Sequence, residues 1–162
     1  MTTQNSGIYT QLYHTAFGNV IISSDGESVT EVQIRETIPE QKIFSPCRVT
    51  DRAAVQLGEY FAGQRKVFDL PLNPKGTDFS RLVWSKLRSI PYGETRSYKQ
   101  IAAEAGNAKA CRAVGMANNK NPIMVIVPCH RVIGSDGSLV GYAGGTDLKK
   151  RLLELEERWR NK

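Results

Sequence analysis

Ser97-Tyr98-Lys99-Gln100-Ile101-Ala102-Ala103-Glu104-Ala105-Gly106-Asn107-Ala108-Lys109-Ala110-Cys111-Arg112-Ala113-Val114-Gly115-Met116-Ala117 is the stretch on which the fold of this 162-residue chain turns. Ser97 and Gln100 have the spacing of a capping box, in which the serine hydroxyl accepts a forward backbone N–H and the glutamine reaches back. That predicts a short helix through Ala105, closed by Gly106. Asn107 is placed to cap a second helix running to about Ala117, so two short helices meet at a Gly-Asn turn, the arrangement of a helix-turn-helix. At about 100° per residue, Ala110, Cys111, Val114 and Ala117 share one arc, while Lys109, Arg112, Ala113 and Met116 share the other. The first arc is the packing face and takes Cys111 with it. The second is basic with small residues, so it can approach a groove closely, although a solvated arginine is the commoner meaning of such a face.

Working outward, Asn118-Asn119-Lys120-Asn121-Pro122 ends the second helix, and an asparagine there suits a left-handed cap. Ile123-Met124-Val125-Ile126-Val127 is an unbroken apolar run rich in β-branched residues, which reads as a strand covered on both faces. Pro128 removes a ladder donor and leaves Cys129 at the strand end. A free cysteine after such a strand packs more often than it reacts. Here His130 and Arg131 follow it directly, and both an imidazole and a guanidinium favour a nucleophilic thiolate. Upstream, Thr77 or Asp78 can cap a helix with Phe79, Val83, Leu87 and Ile90 on one face, ending at Pro91-Tyr92-Gly93. Downstream come a tight turn at Gly134-Ser135-Asp136-Gly137 and a glycine-rich loop over residues 139–145. A last helix, from Leu148 to about Trp159, buries Leu148, Leu152, Leu155 and Trp159. Glu156 projects near that apolar arc and needs a partner, for which an imidazole or arginine of the Cys129 motif would serve.

The N-terminal half reads as a small antiparallel sheet: residues 9–14, 20–22 and 29–34 are strand-like, with a turn at Asp25-Gly26 and His14 either on the sheet surface or a satisfied sheet residue. An amphipathic helix over residues 51–62 would turn Ala54, Val55, Gly58 and Phe61 to the sheet and stop at Gly63. Residues 68–76, rich in proline and glycine, connect two domains, residues 1–76 and residues 77–162. Ser45-Pro46-Cys47-Arg48 echoes the Cys129 motif without its histidine. Residues 1–77 carry a net charge of −1 and residues 78–162 one of +7, so the basic half holds the Cys129 motif. Such an excess is the footprint of a polyanion partner, although a basic surface is often only a solvated face. Three cysteines at unrelated spacings argue against a disulfide framework. With His14 and His130 the only histidines, no metal cluster assembles in the usual way. The polar N-terminus, and the lack of any run of membrane-spanning length, point to a cytoplasmic protein without export or membrane attachment.

Val127-Pro128-Cys129-His130-Arg131-Val132-Ile133 resembles the active-site signature of the O6-alkylguanine-DNA alkyltransferases, also called methylated-DNA-protein-cysteine methyltransferases. The resemblance runs from about Thr77 to Glu156 and weakens over the N-terminal half. It implies an α/β protein, with a ribonuclease H-like N-terminal sheet and helix before a C-terminal winged helix-turn-helix domain carrying the site. It further implies direct reversal of O6-alkylguanine, and of O4-alkylthymine, by irreversible transfer to Cys129 in a single turnover, without metal or cofactor. In that scheme His130 takes the thiol proton through a water, Glu156 orients the imidazole and Asn121 fixes the loop. A bridging water is also expected because neighbours in an extended segment point to opposite sides. Tyr98 would serve the departing guanine and rotate the target phosphate, and Arg112 would fill the vacated stack. Lys109 and Ala113 complete the DNA face, while Val132, Tyr142, Ala143 and Met124 line the pocket. The partner implied is double-stranded DNA, bound through its minor groove with the damaged base flipped out, by a protein monomeric in solution whose clustering on DNA stays open. The chain departs from the family pattern at Asn118-Asn119, where Asn-Gly is common, and at Met124, where some relatives have proline; Met124 leaves the tolerance for bulky alkyl groups open.

Two other classes compete. A non-catalytic damage-binding protein on the same scaffold would lack the thiol, so Cys129 speaks against it. A thiol hydrolase or peroxide sensor needs no DNA, and leaves Arg112, Tyr98 and the basic half without a purpose.

Overall fold

The computed structural model describes residues 7–162, which divide into two compact units, one up to residue 74 and the other over residues 75–162. The polar segment read as carrying no export signal therefore lies, up to residue 6, outside the described residues. No helix among the described residues is long and apolar enough to cross a membrane.

The first unit is an antiparallel meander, β1 (Tyr9–Thr15), β2 (Gly18–Ser24) and β3 (Val29–Arg35), in spatial order β1-β2-β3. Leu12 pairs with Ile21, and Ile22 with Val32. Central β2 buries every residue from Val20 to Ser24, because its backbone groups are taken by strands on both sides. Helix α1 (Arg48–Phe61) packs on this sheet. It begins three residues before the predicted start, since the Thr50 hydroxyl accepts from the backbone N–H of Cys47 at 2.8 Å and fixes the first turn there. Its buried stripe is Val49, Ala53, Leu57 and Tyr60, whereas Val55, predicted to face the sheet, is exposed. Starting the helix earlier leaves the choice of face to the largest residues, Leu57 and Tyr60. The proline-rich segment read as a connection contributes to the sheet: the Val29 N–H donates to Pro71 O and the Asn73 N–H to Val29 O, both at 2.8 Å.

The second unit is built on α2 (Asp78–Leu87), α3 (Tyr98–Glu104), α4 (Cys111–Asn119) and α5 (Thr146–Trp159), with a two-residue parallel pair, β4 (Arg96–Ser97) and β5 (Val132–Ile133). Thr77 caps α2, and Trp84 on its inner face donates from Nε1 to Ala117 O at 2.8 Å, tying α2 to α4. The capping box opens α3 as predicted: the Gln100 N–H donates to Ser97 Oγ at 3.1 Å and the Ser97 N–H to Gln100 Oε1 at 2.8 Å. Gly106, at φ +96°, closes it.

Helix α4 starts three residues later than predicted, its cap at Ala110 and not Asn107. Asn107 caps a separate turn, its Oδ1 accepting the Lys109 N–H at 3.0 Å and its carbonyl the Ala110 N–H at 3.0 Å. Lys109 therefore precedes the helix. Val114 and Ala117 are buried and Arg112, Ala113 and Met116 exposed as expected, whereas Ala110 and Cys111, expected on the packing face, are only half-buried at the start of the helix. No left-handed cap forms at Asn118-Asn119. Both belong to α4, and the Lys120 N–H closes the helix on Met116 and Ala117. Trp159 is half-buried, and Lys149 and Glu156 occupy the buried side of α5 with Leu148, Leu152 and Leu155.

The main correction concerns residues 123–127, which are buried as predicted but form turns, not a strand. The Ile126 N–H closes on Met124 O at 2.8 Å and the Val127 N–H on Ile123 O at 3.0 Å. Val125 between them sits at φ +71°, which a β-branched side chain rarely adopts.

Candidate active site

Asn121 organises the segment that carries the thiol. Its Oδ1 accepts the Ile123 N–H at 3.0 Å, while Nδ2 donates to Val127 O at 2.9 Å, to Ile123 O at 3.3 Å and to Cys129 Sγ at 3.1 Å. One side chain thus bonds the backbone at both ends of the turns, and touches the sulfur. Asn118, buried at the end of α4, donates to Cys129 O at 3.3 Å. The residues Cys129–Arg131 then form a single 3₁₀ turn, not an extended end. The expectation that Cys129 and His130 point to opposite sides of an extended segment therefore does not hold.

Cys129 is 2% exposed. Burial pushes its thiol up to about 11, against the lowering effects of the Asn121 hydrogen bond and the Lys149 charge. At neutral pH the resting group is a thiol. The guanidinium expected to favour the thiolate is engaged elsewhere: Arg131 gives Nε to Glu156 Oε1 at 2.8 Å, Nη2 to Oε2 at 3.1 Å and Nη1 to Ile90 O at 2.7 Å. A buried carboxylate and a planar guanidinium complete each other's hydrogen bonds, which fixes Arg131 there.

Glu156 receives the partners its position demanded, both at once. Besides Arg131, it meets His130 Nε2 at Oε2, 2.5 Å away, and accepts the Gly93 N–H at Oε1, 3.1 Å away. Burial favours its neutral form, but the hydrogen bonds and charges of His130 and Arg131 outweigh that and hold it well below the usual carboxylate range. Burial in turn keeps His130 below its ordinary value despite the carboxylate. The imidazole is accordingly neutral at pH 7, with its proton on Nε2 facing the carboxylate and its basic lone pair on Nδ1. His130 thus offers a base, not a cation.

Tyr98, first residue of α3, donates from its hydroxyl to Val140 O at 2.6 Å, and its ring lies 4.0 Å from where a Cβ on Gly115 of α4 would stand. Burial raises the Tyr98 phenol, as does the charge on Cys129, and the Tyr142 phenol lies well above its ordinary value for the same reasons. Met124 and Tyr142 both border Gly144, where a Cβ would fall 3.0 Å from Met124 Cε and 3.2 Å from Tyr142 Cε1. Val132 is buried and Ala143 exposed. Cys129, Asn121, His130, Glu156, Tyr98 and Tyr142 are thereby brought into one group. Arg112 and Ala113 lie on the exposed arc of α4, and Lys109 is exposed just before it. Among the described residues no group of three or more His, Cys, Asp or Glu side chains could hold a metal ion.

Two participants escaped the sequence reading. Asn118 looked like a helix end. Lys149, fully buried, donates from Nζ to Val132 O and, at 3.1 Å, to Val140 O. A signal existed for it, since Lys149 stands seven residues before Glu156 and so on the same face of α5.

Residues 8–74 match the model of the 6-O-methylguanine DNA methyltransferase ribonuclease-like domain, and residues 78–158 that of the 6-O-methylguanine DNA methyltransferase DNA binding domain. The chain is 46% identical over 155 residues to the methylated-DNA–protein-cysteine methyltransferase of Methanosarcina acetivorans, covering 92% of this chain and 98% of that one. It is 45% identical to the constitutive enzyme of that name from Bacillus subtilis, covering 88% and 91%. The crystal structure of Mycobacterium tuberculosis O6-methylguanine methyltransferase superposes with a TM-score of 0.85 at 42% identity, over 93% of each chain. The structure of Mycobacterium tuberculosis OGT in complex with DNA does so with 0.86 at 42% identity, over 93% and 94%. The meander with its helix is thus the ribonuclease-like domain and the helical unit the DNA-binding domain, and the chain belongs to the methylated-DNA–protein-cysteine methyltransferase family.

Proposed function

We propose that this chain repairs alkylated DNA by direct reversal, taking the alkyl group of O6-alkylguanine, and of O4-alkylthymine, onto Cys129. The observation that carries the assignment is the Asn121 Nδ2 hydrogen bond to Cys129 Sγ at 3.1 Å, beside a His130–Glu156 pair whose imidazole is neutral. A new S–C bond forms as the C–O6 bond breaks. The thiol proton passes to His130 Nδ1 through a water, Glu156 balances the imidazolium, and the departing guanine takes a proton or hydrogen bond from Tyr98. Because the resting thiol sits near 11, deprotonation is coupled to substrate binding, and free thiolate is scarce at neutral pH. Tyr98 must leave Val140 O to reach the base.

The reacting carbon lies inside a duplex, so the base is flipped out. Residues 77–162 bind the minor groove through Arg112, Ala113 and Lys109, with Arg112 filling the vacated stack; a groove with little sequence information suits a lesion that can occur anywhere. Val132, Tyr142, Ala143 and Met124 line the base pocket. The thioether product is not reversed by ordinary reductants, so each monomeric, cytoplasmic molecule acts once, without metal or cofactor.

Peptide mass spectrometry after incubation with a duplex containing O6-methylguanine tests this. One methyl on the Cys129 peptide, absent in Cys129→Ser, is the expected result. Lesion binding without mass gain would overturn the transfer and leave a damage-binding protein.

A further inference from the structure

The backbone carbonyls around the Cys129 thiol already hold donors. Cys129 O accepts the Val132 N–H and, at 3.3 Å, Asn118 Nδ2; Val132 O accepts Lys149 Nζ; Val140 O accepts Lys149 Nζ and the Tyr98 hydroxyl; Val127 O accepts Asn121 Nδ2. The other end of the Asn118 amide differs. Its Oδ1 is buried and meets no donor among the described residues, in a side chain whose residue is 1% exposed. Turning the amide over would set Oδ1 against Cys129 O, acceptor against acceptor, so the bond to Cys129 fixes which end is left over. A buried carbonyl oxygen without a donor weakens a fold, and beside a reactive group it points to a ligand that completes it. Tyr98 borders the same amide. Its ring lies 4.0 Å from where a Cβ on Gly115 would stand, and Gly115 and Asn118, three apart on α4, share one helix face. Burial and the charge on Cys129 raise the Tyr98 phenol, while the Asn118 amide lowers it.

We propose that Asn118 Oδ1 is the acceptor for the exocyclic amino group of a flipped-out O6-alkylguanine, and thereby a residue that selects guanine lesions. The inference rests on the transfer proposed above. Alkylation at O6 leaves N1 without its proton and N9 is bonded to the sugar, so the 2-amino group is the one N–H donor left on the base. A buried oxygen in the pocket is completed by that group and by no other atom of the lesion. O4-alkylthymine carries no N–H at all, so Asn118 gives it no help. When the Tyr98 hydroxyl leaves Val140 O for the base, it uncovers the amide it borders, while Nδ2 stays on Cys129 O. One amide then links the base to the cysteine that attacks it.

The test compares single-turnover methyl transfer from duplexes containing O6-methylguanine or O6-methylhypoxanthine, which lacks only the amino group, in the unsubstituted chain and in Asn118→Leu. The unsubstituted chain should favour O6-methylguanine by about ten- to a hundredfold, and Asn118→Leu should bring the two rates within about threefold by slowing O6-methylguanine. A general loss of structure would slow both duplexes alike and leave their ratio in place. Equal rates in the unsubstituted chain, or a preference that survives in Asn118→Leu, would overturn the inference. Should Asn118→Leu not fold, the Asn118 side-chain amide NMR signal in Cys129→Ser must shift on binding the O6-methylguanine duplex and not on binding the O6-methylhypoxanthine duplex; a signal that answers both alike overturns it equally. Transfer from neither duplex would overturn the alkyl transfer itself, and the same NMR comparison then decides the base contact.

Discussion

Residues 20–24 of β2 and residues 123–127 are both short, buried runs rich in β-branched residues, yet one is the central strand of a sheet and the other a series of turns. What separates them is where their backbone hydrogen bonds go. β2 has β1 and β3 on either side, and its ladder needs no particular side chain. Residues 123–127 belong to no ladder beyond a single bridge at Ile123, and Asn121 takes up part of what the turns leave over. Burial is decided by composition; the shape of a buried backbone is decided by its partners. Entrusting a backbone to one side chain also allows that side chain to reach the Cys129 sulfur, which a ladder cannot do.

Asn121→Ala breaks the comparison most severely. It orphans the buried Ile123 N–H, leaves the Ile123 and Val127 carbonyls with their backbone donors alone, and removes the donor on Cys129 Sγ, so a stability loss of roughly 2–4 kcal/mol is expected. Methyl transfer should fall by about a hundredfold or more even where the chain stays folded, because geometry and thiolate stabilisation fail together. Denaturant unfolding and single-turnover transfer measure the two losses separately. A variant with near-normal transfer would show that the turns hold without Asn121.

Acid should distinguish the two regions next. Glu156 is depressed in the folded state, so its stabilisation is present above its unfolded value and is lost as pH falls below about 4.5. His130 is also depressed, and for a histidine this means that the unfolded chain binds the proton first; stability drops as pH falls below 6.5. The β2 ladder has no such dependence. Hydrogen exchange should therefore show the Ile123 and Val127 amides losing protection on acidification before that of Ile22. Glu156→Gln should flatten the part below about 4.5 and slow transfer at pH 7 about tenfold or more. Site and strand amides opening together at every pH would remove the distinction.

What the sequence showed and withheld follows the same division. The meander, the Ser97-Gln100 capping box and the packing face of α4 were readable because each is a local pattern with one physical meaning. Glu156 was placed correctly as a buried carboxylate needing a motif partner, and it found two. Asn107 was misread because an asparagine caps a turn as readily as a helix. Arg131 was assigned to the sulfur by adjacency, but the chain turns at Cys129–Arg131 and carries it to Glu156. Lys149 was overlooked since lysine is rarely buried, and its reason for burial lies in carbonyls distant in sequence.

The smallest expected effect bears most directly on the difference between the two runs. Val125 and Val32 are both buried, but Val125 is held at φ +71° whereas Val32 sits in the regular strand β3, paired with Ile22. Either Val→Gly change forfeits roughly 1.5–3 kcal/mol of side-chain burial. In β3 the glycine also costs about 0.5–1 kcal/mol of backbone entropy. At position 125 it relieves about 1–2 kcal/mol of left-handed strain. Val125→Gly should therefore be less destabilising than Val32→Gly by about 2 kcal/mol, measured by denaturant midpoint at a common slope. Equal losses would mean that the turn at Val125 carries no strain. The expected inequality would identify that strain as the cost of a turn, in place of a strand, leading to Cys129.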